Sequence, residues 1–138
     1  MKRTAKAHWE GNVKLGKGDL TTQSEVLKKA NYSFKTRFTG EEKGTNPEEL
    51  LAAAHAGCFT MAVNFALTEK GLNPLSLDTE AAVSMDNTGI TGIHLSITGN
   101  IPGVNTEEFE EITKEAEKNC FISKVLSIPI SSEAHLIS

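Results

Sequence analysis

The sequence is poor in cysteine and has no excess of positive charge. Its 138 residues include only two cysteines, Cys58 and Cys120, and 14 basic against 18 acidic side chains, which gives a net charge of −4. Two distant cysteines without a C-x-x-C pair exclude a four-cysteine zinc site and a disulfide-dense scaffold. The acidic balance and the lack of a basic run argue against general binding to nucleic acid or to a membrane surface. The two thiols are left to be explained.

The N-terminus also lacks the apolar segment that a secretory signal needs. Lys2 and Arg3 supply positive charge, but no apolar run of about seven or more residues follows them. We therefore expect a cytoplasmic protein. In that compartment thiols are kept reduced, so a bridge between Cys58 and Cys120 would be transient and catalytic rather than structural.

The length predicts a single domain over residues 1–138, with a β-rich part over 1–45 and a helix, hairpin, helix and strand over 46–138. Glycine and asparagine turns divide the first part into short segments with strand character. The predicted strands of this part lie near residues 2–10, 12–15, 19–24 and 33–39.

The second part alternates apolar and polar residues on both sides of Asn87-Thr88-Gly89, which predicts a long hairpin. Asn105 then caps a predicted amphipathic helix that ends near Cys120, and a short helical turn follows. A last strand is predicted near residues 128–136. Helices and strands arranged in this order predict an α+β fold.

The longest predicted helix contains a long segment without charge. Asn46, Pro47 and Glu49 predict its start, and Gly71 predicts its end. Residues 50–68 contain no Asp, Glu, Lys or Arg, and a segment of this length can cross a membrane. Because the segment is only moderately apolar, we expect a soluble protein. A helix that is apolar nearly all round must be surrounded, so we expect a homodimer with this helix at its centre.

The residues alone leave several roles open for the cysteines. Cys58 lies in the charge-free helix, where a cysteine is usually an inert core residue. His55 precedes it by three positions, on nearly the same helix face, as the base of a Cys-His hydrolase or acyl transferase would. No Asn or Asp can be assigned to orient that base, and we favour the interpretation of His55 as a core or interface residue. A binding protein with inert cysteines is a further alternative.

Several motifs extend over almost the whole chain. They are Ala7-His8-Trp9-Glu10-Gly11, Thr36-Arg37-Phe38, Gly44-Thr45-Asn46-Pro47-Glu48-Glu49-Leu50, Ala53-Ala54-His55-Ala56-Gly57-Cys58-Phe59 and the distal Cys120. This set resembles the OsmC/Ohr family of bacterial thiol peroxidases, and its OsmC branch most. The resemblance implies an OsmC-like fold, with antiparallel sheets wrapped around central helices in an intertwined homodimer.

The resemblance also implies an activity, which is the reduction of organic hydroperoxides to alcohols in oxidative or osmotic stress defence. By motif, Cys58 would be the peroxidatic thiol and Cys120 the resolving thiol, with a sulfenic acid and then a disulfide as intermediates. Arg37 would stabilise the thiolate, and Glu48 would hold Arg37. The family implies no metal or bound cofactor, and it implies turnover by an external dithiol of the lipoyl type or by a small thiol.

The spacing within the predicted helix adds an expectation about the site. Ten residues separate Glu48 from Cys58, about 15 Å along a continuous helix, so they cannot share a cluster within one chain. We therefore expect Glu48 to serve Cys58 of the partner subunit. Apolar residues beside the four proposed site residues would form a pocket for alkyl or lipid groups. These residues are Phe38, Phe59, Met61 and Phe121.

Overall fold

Tight turns fold the N-terminal part of the chain into an antiparallel sheet. The computed structural model describes residues 1–40 and 42–137. Strands β1 (Ala5–Glu10), β2 (Lys17–Thr22) and β3 (Ala30–Tyr32) pair in the order β1-β2-β3. A short helix, α1 (Phe34–Phe38), follows β3. In the predicted loop after it, residue 41 lies outside the described residues.

Two strands predicted in this part are wrong. Residues 12–15 form a turn instead, because the side chain of Asn12 accepts the backbone N–H of Leu15 at 2.8 Å. Residues 34–38 form α1 because Ser33 and Thr36 make a reciprocal capping box at its first turn. Arg37 therefore lies on a helix rather than on a strand.

Helix α2 (Pro47–Glu69) begins and ends where the sequence predicts. The side chain of Asn46 accepts the backbone N–H of Glu49 at 2.7 Å, which caps the first turn. Gly71 adopts a φ of +76°, and the N–H of Leu72 donates to the carbonyl of Leu67 at 2.9 Å, which closes the last turn. The helix is thus continuous over the segment without charge.

The C-terminal sheet is mixed rather than antiparallel throughout. Strands β4 (Ser76–Asp86) and β5 (Gly89–Asn100) form the predicted antiparallel hairpin. Strand β6 (Ile130–Leu136) pairs with β5 in parallel, with Ile93 opposite Ile130. A parallel pair needs a crossover connection, and helices α3 (Thr106–Asn119) and α4 (Phe121–Val125) provide it. The α+β class is confirmed.

Alternate residues of the C-terminal sheet pack against the helices in one hydrophobic core. Helix α2 contributes every fourth residue to this core, and the side chains of Phe59, Val63 and Leu67 have no exposed surface. From the sheet and α3 come Ile93, Leu95, Ile97, Phe109, Ile112 and Ala116. In the described part of the chain, α2 alone is long and apolar enough to cross a membrane. Core helices of soluble proteins pass the same test, and α2 buries one stripe of side chains in the core.

The chain forms two compact units, Met1–Leu50 and Leu51–Ser138. The first contains the sheet β1-β2-β3 and α1, and the second contains the sheet β4-β5-β6 with α3 and α4. The boundary lies inside the first turns of α2, close to the predicted change at residue 45. The assignment of both parts to a single domain stays a prediction.

Candidate active site

A cavity of about 850 Å³ lies in the second unit, between α2 and the C-terminal end of α3. Both cysteines line it. Side chains from α2 form one wall, and residues from α3 and the start of α4 form the other. The lining residues are Cys58, Met61, Ala62, Phe65, Ala66, Glu69, Lys70, Glu115, Ala116, Asn119, Cys120 and Phe121.

The two cysteines reach this cavity from different local structures. Cys58 lies in the middle of α2 and is half-buried, whereas Cys120 is buried, with 1% of its surface exposed. Cys120 has an extended backbone (φ −66°, ψ 121°), because it is the residue between α3 and α4. Both side chains are free thiols in the described chain. The predicted pair is therefore brought to one cavity in its reduced form.

The walls of the cavity are mainly apolar, and their polar parts are Glu115 and Asn119 of α3 and the end of α2. Met61, Phe65 and Phe121 are large apolar residues that remain exposed, Phe121 by 76%. Glu69 and Lys70, at the end of α2, contribute charge. The cavity can thus accept an apolar group beside the thiols, with a polar end about three helical turns away.

Two of the four residues predicted to form an apolar pocket line this cavity, and their role in substrate binding stays a prediction. Met61 and Phe121 line the cavity, as expected. Phe59 does not belong to it, because its side chain is fully buried in the core on another face of α2. Phe38 lies in the first unit, where its ring is 5.0 Å from the guanidinium carbon of Arg37. Sequence inspection missed Phe65, although its spacing of seven residues from Cys58 puts both on one side of a helix.

Arg37 and Glu48 form a two-point ion pair in the first unit. The Nε of Arg37 donates to Oε1 of Glu48 at 3.0 Å, and Nη2 donates to Oε2 at 2.9 Å. Only 8% of Glu48 is exposed, whereas the Arg37 side chain is 42% exposed. The capping box of α1 and the Asn46 cap of α2 position the two partners. The pair therefore presents an anchored guanidinium group at the start of α2.

The ion pair changes the acidity of both partners. Hydrogen bonds from Arg37, and then its positive charge, lower the pKa of Glu48 against the opposing effect of burial. The same contacts raise the pKa of Arg37. Glu48 also lies in the first turn of α2, where the helix dipole favours a negative charge. Both groups are thus held in their charged forms.

His55 does not act as the partner of Cys58 in this structure. Its ring has no exposed surface, and its Nε2 shares a hydrogen bond with the hydroxyl of Ser123 in α4, at 2.7 Å. Burial lowers the pKa of His55, against a smaller opposite effect of Glu117, so the ring is neutral. Its Nδ1 is buried and has no hydrogen-bond partner among the described residues. The interpretation of His55 as a core residue is therefore the better one.

Among residues 1–40 and 42–137, no group of three or more His, Cys, Asp or Glu side chains is placed to bind a metal ion. The predicted site residues are instead placed as two pairs. Arg37 binds Glu48 in the first unit, and Cys58 and Cys120 share a cavity in the second.

Comparison with known proteins adds relatives over the whole chain. A family model described as OsmC-like protein matches residues 40–133. Peroxiredoxin OsmC of Escherichia coli (strain K12) is 45% identical over 140 residues, which cover 99% of this chain and 97% of that protein. The organic hydroperoxide resistance protein OhrA of Bacillus subtilis (strain 168) is 34% identical over 94 residues, 62% of each chain.

Solved structures share the fold. The OsmC-like protein from Mycoplasma pneumoniae superimposes with a TM-score of 0.78 at 16% identity, covering 100% of this chain and 99% of that one. The organic hydroperoxide resistance protein OsmC from Legionella pneumophila gives 0.73 at 23% identity, with 100% and 98% covered.

Proposed function

Because the chain belongs to the OsmC family, it is a cysteine-based peroxidase, and we propose that it reduces organic hydroperoxides to alcohols through Cys58 and Cys120. The observation that carries this proposal is the cavity that both free thiols line. Its apolar walls suit an alkyl or lipid chain, so organic hydroperoxides are preferred to hydrogen peroxide. We assign the protein to the cytoplasm and to defence against oxidative or osmotic stress.

The chemistry needs no group beyond the thiols and a proton donor. The Cys58 thiolate attacks the distal oxygen of the hydroperoxide, the O–O bond breaks, and the alkoxide leaves as the alcohol after taking up a proton. Cys58 is then a sulfenic acid. The Cys120 thiol displaces its hydroxyl as water and forms a disulfide. An external dithiol of the lipoyl type, or a small thiol, returns both cysteines to the reduced form, and no bound cofactor takes part.

In this proposal, the Arg37–Glu48 pair activates the attacking thiol. A guanidinium near a thiol favours its thiolate, and the two hydrogen bonds to Glu48 hold that guanidinium in one orientation. Since α2 is continuous, Glu48 and Cys58 lie ten residues apart on one rod, about 15 Å. We therefore assign the pair of one subunit to Cys58 of the partner subunit.

The uncharged outer face of α2 supports the homodimer that this assignment needs. Gly57, Met61, Asn64 and Phe65 are exposed in the single chain, and two of them are large apolar residues. Gly57 has open space around the position of a side chain, so a second backbone can approach the helix closely there. A second copy of the chain would bury this face, and the active sites then form between subunits.

Intact-mass spectrometry after a small excess of cumene hydroperoxide tests the function. The reduced protein is expected to lose about 2 Da as the disulfide forms, and the Cys120→Ser variant is expected to gain about 16 Da as a sulfenic acid. Cys58→Ser should not change in mass. A protein that binds peroxides through inert cysteines, or a cysteine hydrolase, would leave all three masses unchanged, and that result contradicts the proposal.

Initial rates decide the choice of substrate. With the same reductant, the second-order rate constant for cumene hydroperoxide is expected to exceed that for hydrogen peroxide by at least about tenfold, because only the organic substrate buries an apolar group in the cavity. Equal rate constants would overturn the assignment of the apolar walls to substrate binding.

A further inference from the structure

Helix α4, which begins immediately after Cys120, is held to the core by few contacts. It has five residues, and none of its described residues is fully buried. Phe121 and Val125 are both 76% exposed, whereas Ile122 is partly buried and packs against the hydrophobic core. A short helix with so little buried apolar surface contributes little stability of its own.

A hydrogen bond between a buried imidazole and a partly exposed serine ties this helix to α2. The imidazole of His55 has no exposed surface, and its Nε2 lies 2.7 Å from the hydroxyl of Ser123. His55 is three residues before Cys58, and Ser123 is three residues after Cys120. The bond therefore connects the helical turn that carries one thiol to the turn that follows the other.

The burial of the His55 ring favours this hydrogen bond. Burial lowers the pKa of His55, which favours the neutral ring, and its Nε2 lies within hydrogen-bond distance of the Ser123 hydroxyl. Because the imidazole of His55 is buried, a broken bond would leave its Nε2 without a partner, which is unfavourable. The single polar connection described between α2 and α4 is thus stronger than an exposed one would be.

We propose that the His55–Ser123 hydrogen bond positions Cys120 for attack on the oxidised Cys58. The inference rests on the proposed two-cysteine peroxidase. His55 and Ser123 are positioning residues, since they act through the backbone of α2 and α4 and not on the substrate. The bond limits the motion of the segment that carries Cys120, which raises the effective concentration of its thiol at Cys58.

The position of Cys120 matters because two reactions compete for the sulfenic acid. Attack by the Cys120 thiol forms the S–S bond and releases water. A second hydroperoxide instead transfers one oxygen to the sulfenic sulfur, which gives a sulfinic acid and another molecule of alcohol. The bond thus sets the proportion of reversible disulfide to irreversible sulfinic acid.

The test is a Ser123→Ala variant followed through one turnover. The reduced protein is mixed with excess cumene hydroperoxide and quenched at intervals, and the sulfenic, disulfide and sulfinic forms are separated by intact mass. We expect the first oxidation to proceed at the wild-type rate and disulfide closure to slow by about three- to tenfold, the effect of one hydrogen bond. The sulfinic fraction should rise in the same proportion.

Two further variants make the test specific. Ser123→Thr keeps a hydroxyl and is expected to restore closure, while Ser127→Ala removes an exposed serine just beyond α4 and should behave as wild type. In a Cys120→Ser background, Ser123→Ala should leave the lifetime of the sulfenic acid unchanged, since no resolving thiol is present.

Three results distinguish a failure of the positioning role from a failure of the peroxidase cycle. If Ser123→Ala closes its disulfide at the wild-type rate, the positioning role is wrong. A shorter sulfenic lifetime in the Cys120→Ser background would also overturn it, because Ser123 would then shield Cys58 from peroxide instead. If the wild-type protein never forms a disulfide, the proposed peroxidase cycle itself fails.

Discussion

Helices α2 and α3 each bury one face in the same core, but their other faces differ. The buried stripes contain His55, Phe59, Val63 and Leu67 in α2, and Phe109, Ile112, Thr113 and Ala116 in α3. Opposite its stripe, α3 presents glutamates and lysines, as a helix next to water does. The exposed face of α2 presents glycine, alanine, methionine, asparagine and phenylalanine.

In the proposed homodimer, this difference separates a helix whose outer face is solvated from a helix whose outer face binds a second copy of the chain. The outer face of α3 needs no partner, because charged side chains remain solvated there. The outer face of α2 exposes Met61 and Phe65, and in the proposed homodimer a second copy of the chain covers them. The uncharged segment of α2 also carries the more accessible thiol, Cys58, so the surface and the thiol assigned to the reaction belong to one element.

A charge on the outer face of α2 should have the largest effect. Asn64→Lys puts a cation on the surface assigned to the second copy, and we expect dissociation of the dimer and a fall of more than about tenfold in peroxidase rate. Light scattering and initial rates measure the two effects. Glu111→Lys, on the outer face of α3, is the matched control and should leave both unchanged. An Asn64→Lys protein that stays dimeric and active would show that the two faces do not differ in function.

Replacement of Arg37 tests whether the reactivity of Cys58 on α2 depends on a positive charge from α1. A thiol with a pKa of about 8.5 is about 3% thiolate at pH 7, and one with a pKa of about 6 is about 90% thiolate. Arg37→Met is therefore expected to slow the first oxidation by about thirtyfold at pH 7, measured by quenched intact mass. Lys35→Met, on the same short helix, should retain the wild-type rate. Equal rates for both variants would contradict the role of Arg37.

Acid should weaken the start of α2 more than the start of α3. Hydrogen bonds from Arg37 hold the folded-state pKa of Glu48 below the ordinary value of 4.5, so the pair stabilises the protein above that pH. This contribution is lost as the pH falls from 4.5 through the folded-state pKa. Thermal unfolding between pH 7 and pH 3 should show a smaller acid-induced loss in Glu48→Gln than in wild type. Glu107→Gln, in the first turn of α3, should follow the wild-type curve; identical curves for all three proteins would refute the prediction.

The smallest expected difference between α2 and α3 is the loss of unfolding free energy when the cap of each helix is removed. Asn46→Ala and Asn105→Ala each remove one side-chain acceptor from a first turn, which costs about 1 kcal/mol of unfolding free energy. Asn46 also donates from Nδ2 to the carbonyl of Thr36 at 3.2 Å, so its loss should cost more and should also reduce the peroxidase rate. Urea denaturation measures both. A larger loss for Asn105→Ala would reverse the expected order.

Local signals predicted α2 and α3 well, because the side chain of an asparagine caps the first turn of each helix. Each helix also ends at a residue whose backbone leaves the helical conformation, Gly71 after α2 and Cys120 after α3. Ser33 is also a helix cap, but the sequence predicts a strand at this position. The helix has only five residues and follows a short strand, and the apolar spacing of Phe34 and Phe38 fits either structure. Their rings pack one turn apart, with centroids separated by 4.9 Å. Local sequence alone could not decide a segment so short.

The orientation of α2 could not be predicted from its composition. A helix that is apolar nearly all round has no hydrophobic face to read, so Phe59 was assigned to the pocket although it lies in the core. For the same reason the sequence gives no sign that His55 contacts Ser123, which is 68 residues away. The roles of Arg37, Glu48, Cys58 and Cys120 stay predictions, made because the types and spacing of these residues match a specific motif. The parallel pairing of β6 had no local signal.

The parallel pairing of β5 and β6 also fixes the order in which the second unit can be completed. Strand β6 is the last element of the chain, and it can pair with β5 only after α3 and α4 have been synthesised and folded back over the sheet. Cys58 leaves the ribosome 62 residues ahead of Cys120. In the proposed cycle, a nascent chain thus contains the attacking thiol before its resolving partner exists, so a sulfenic acid formed on it would lack the thiol that closes the disulfide.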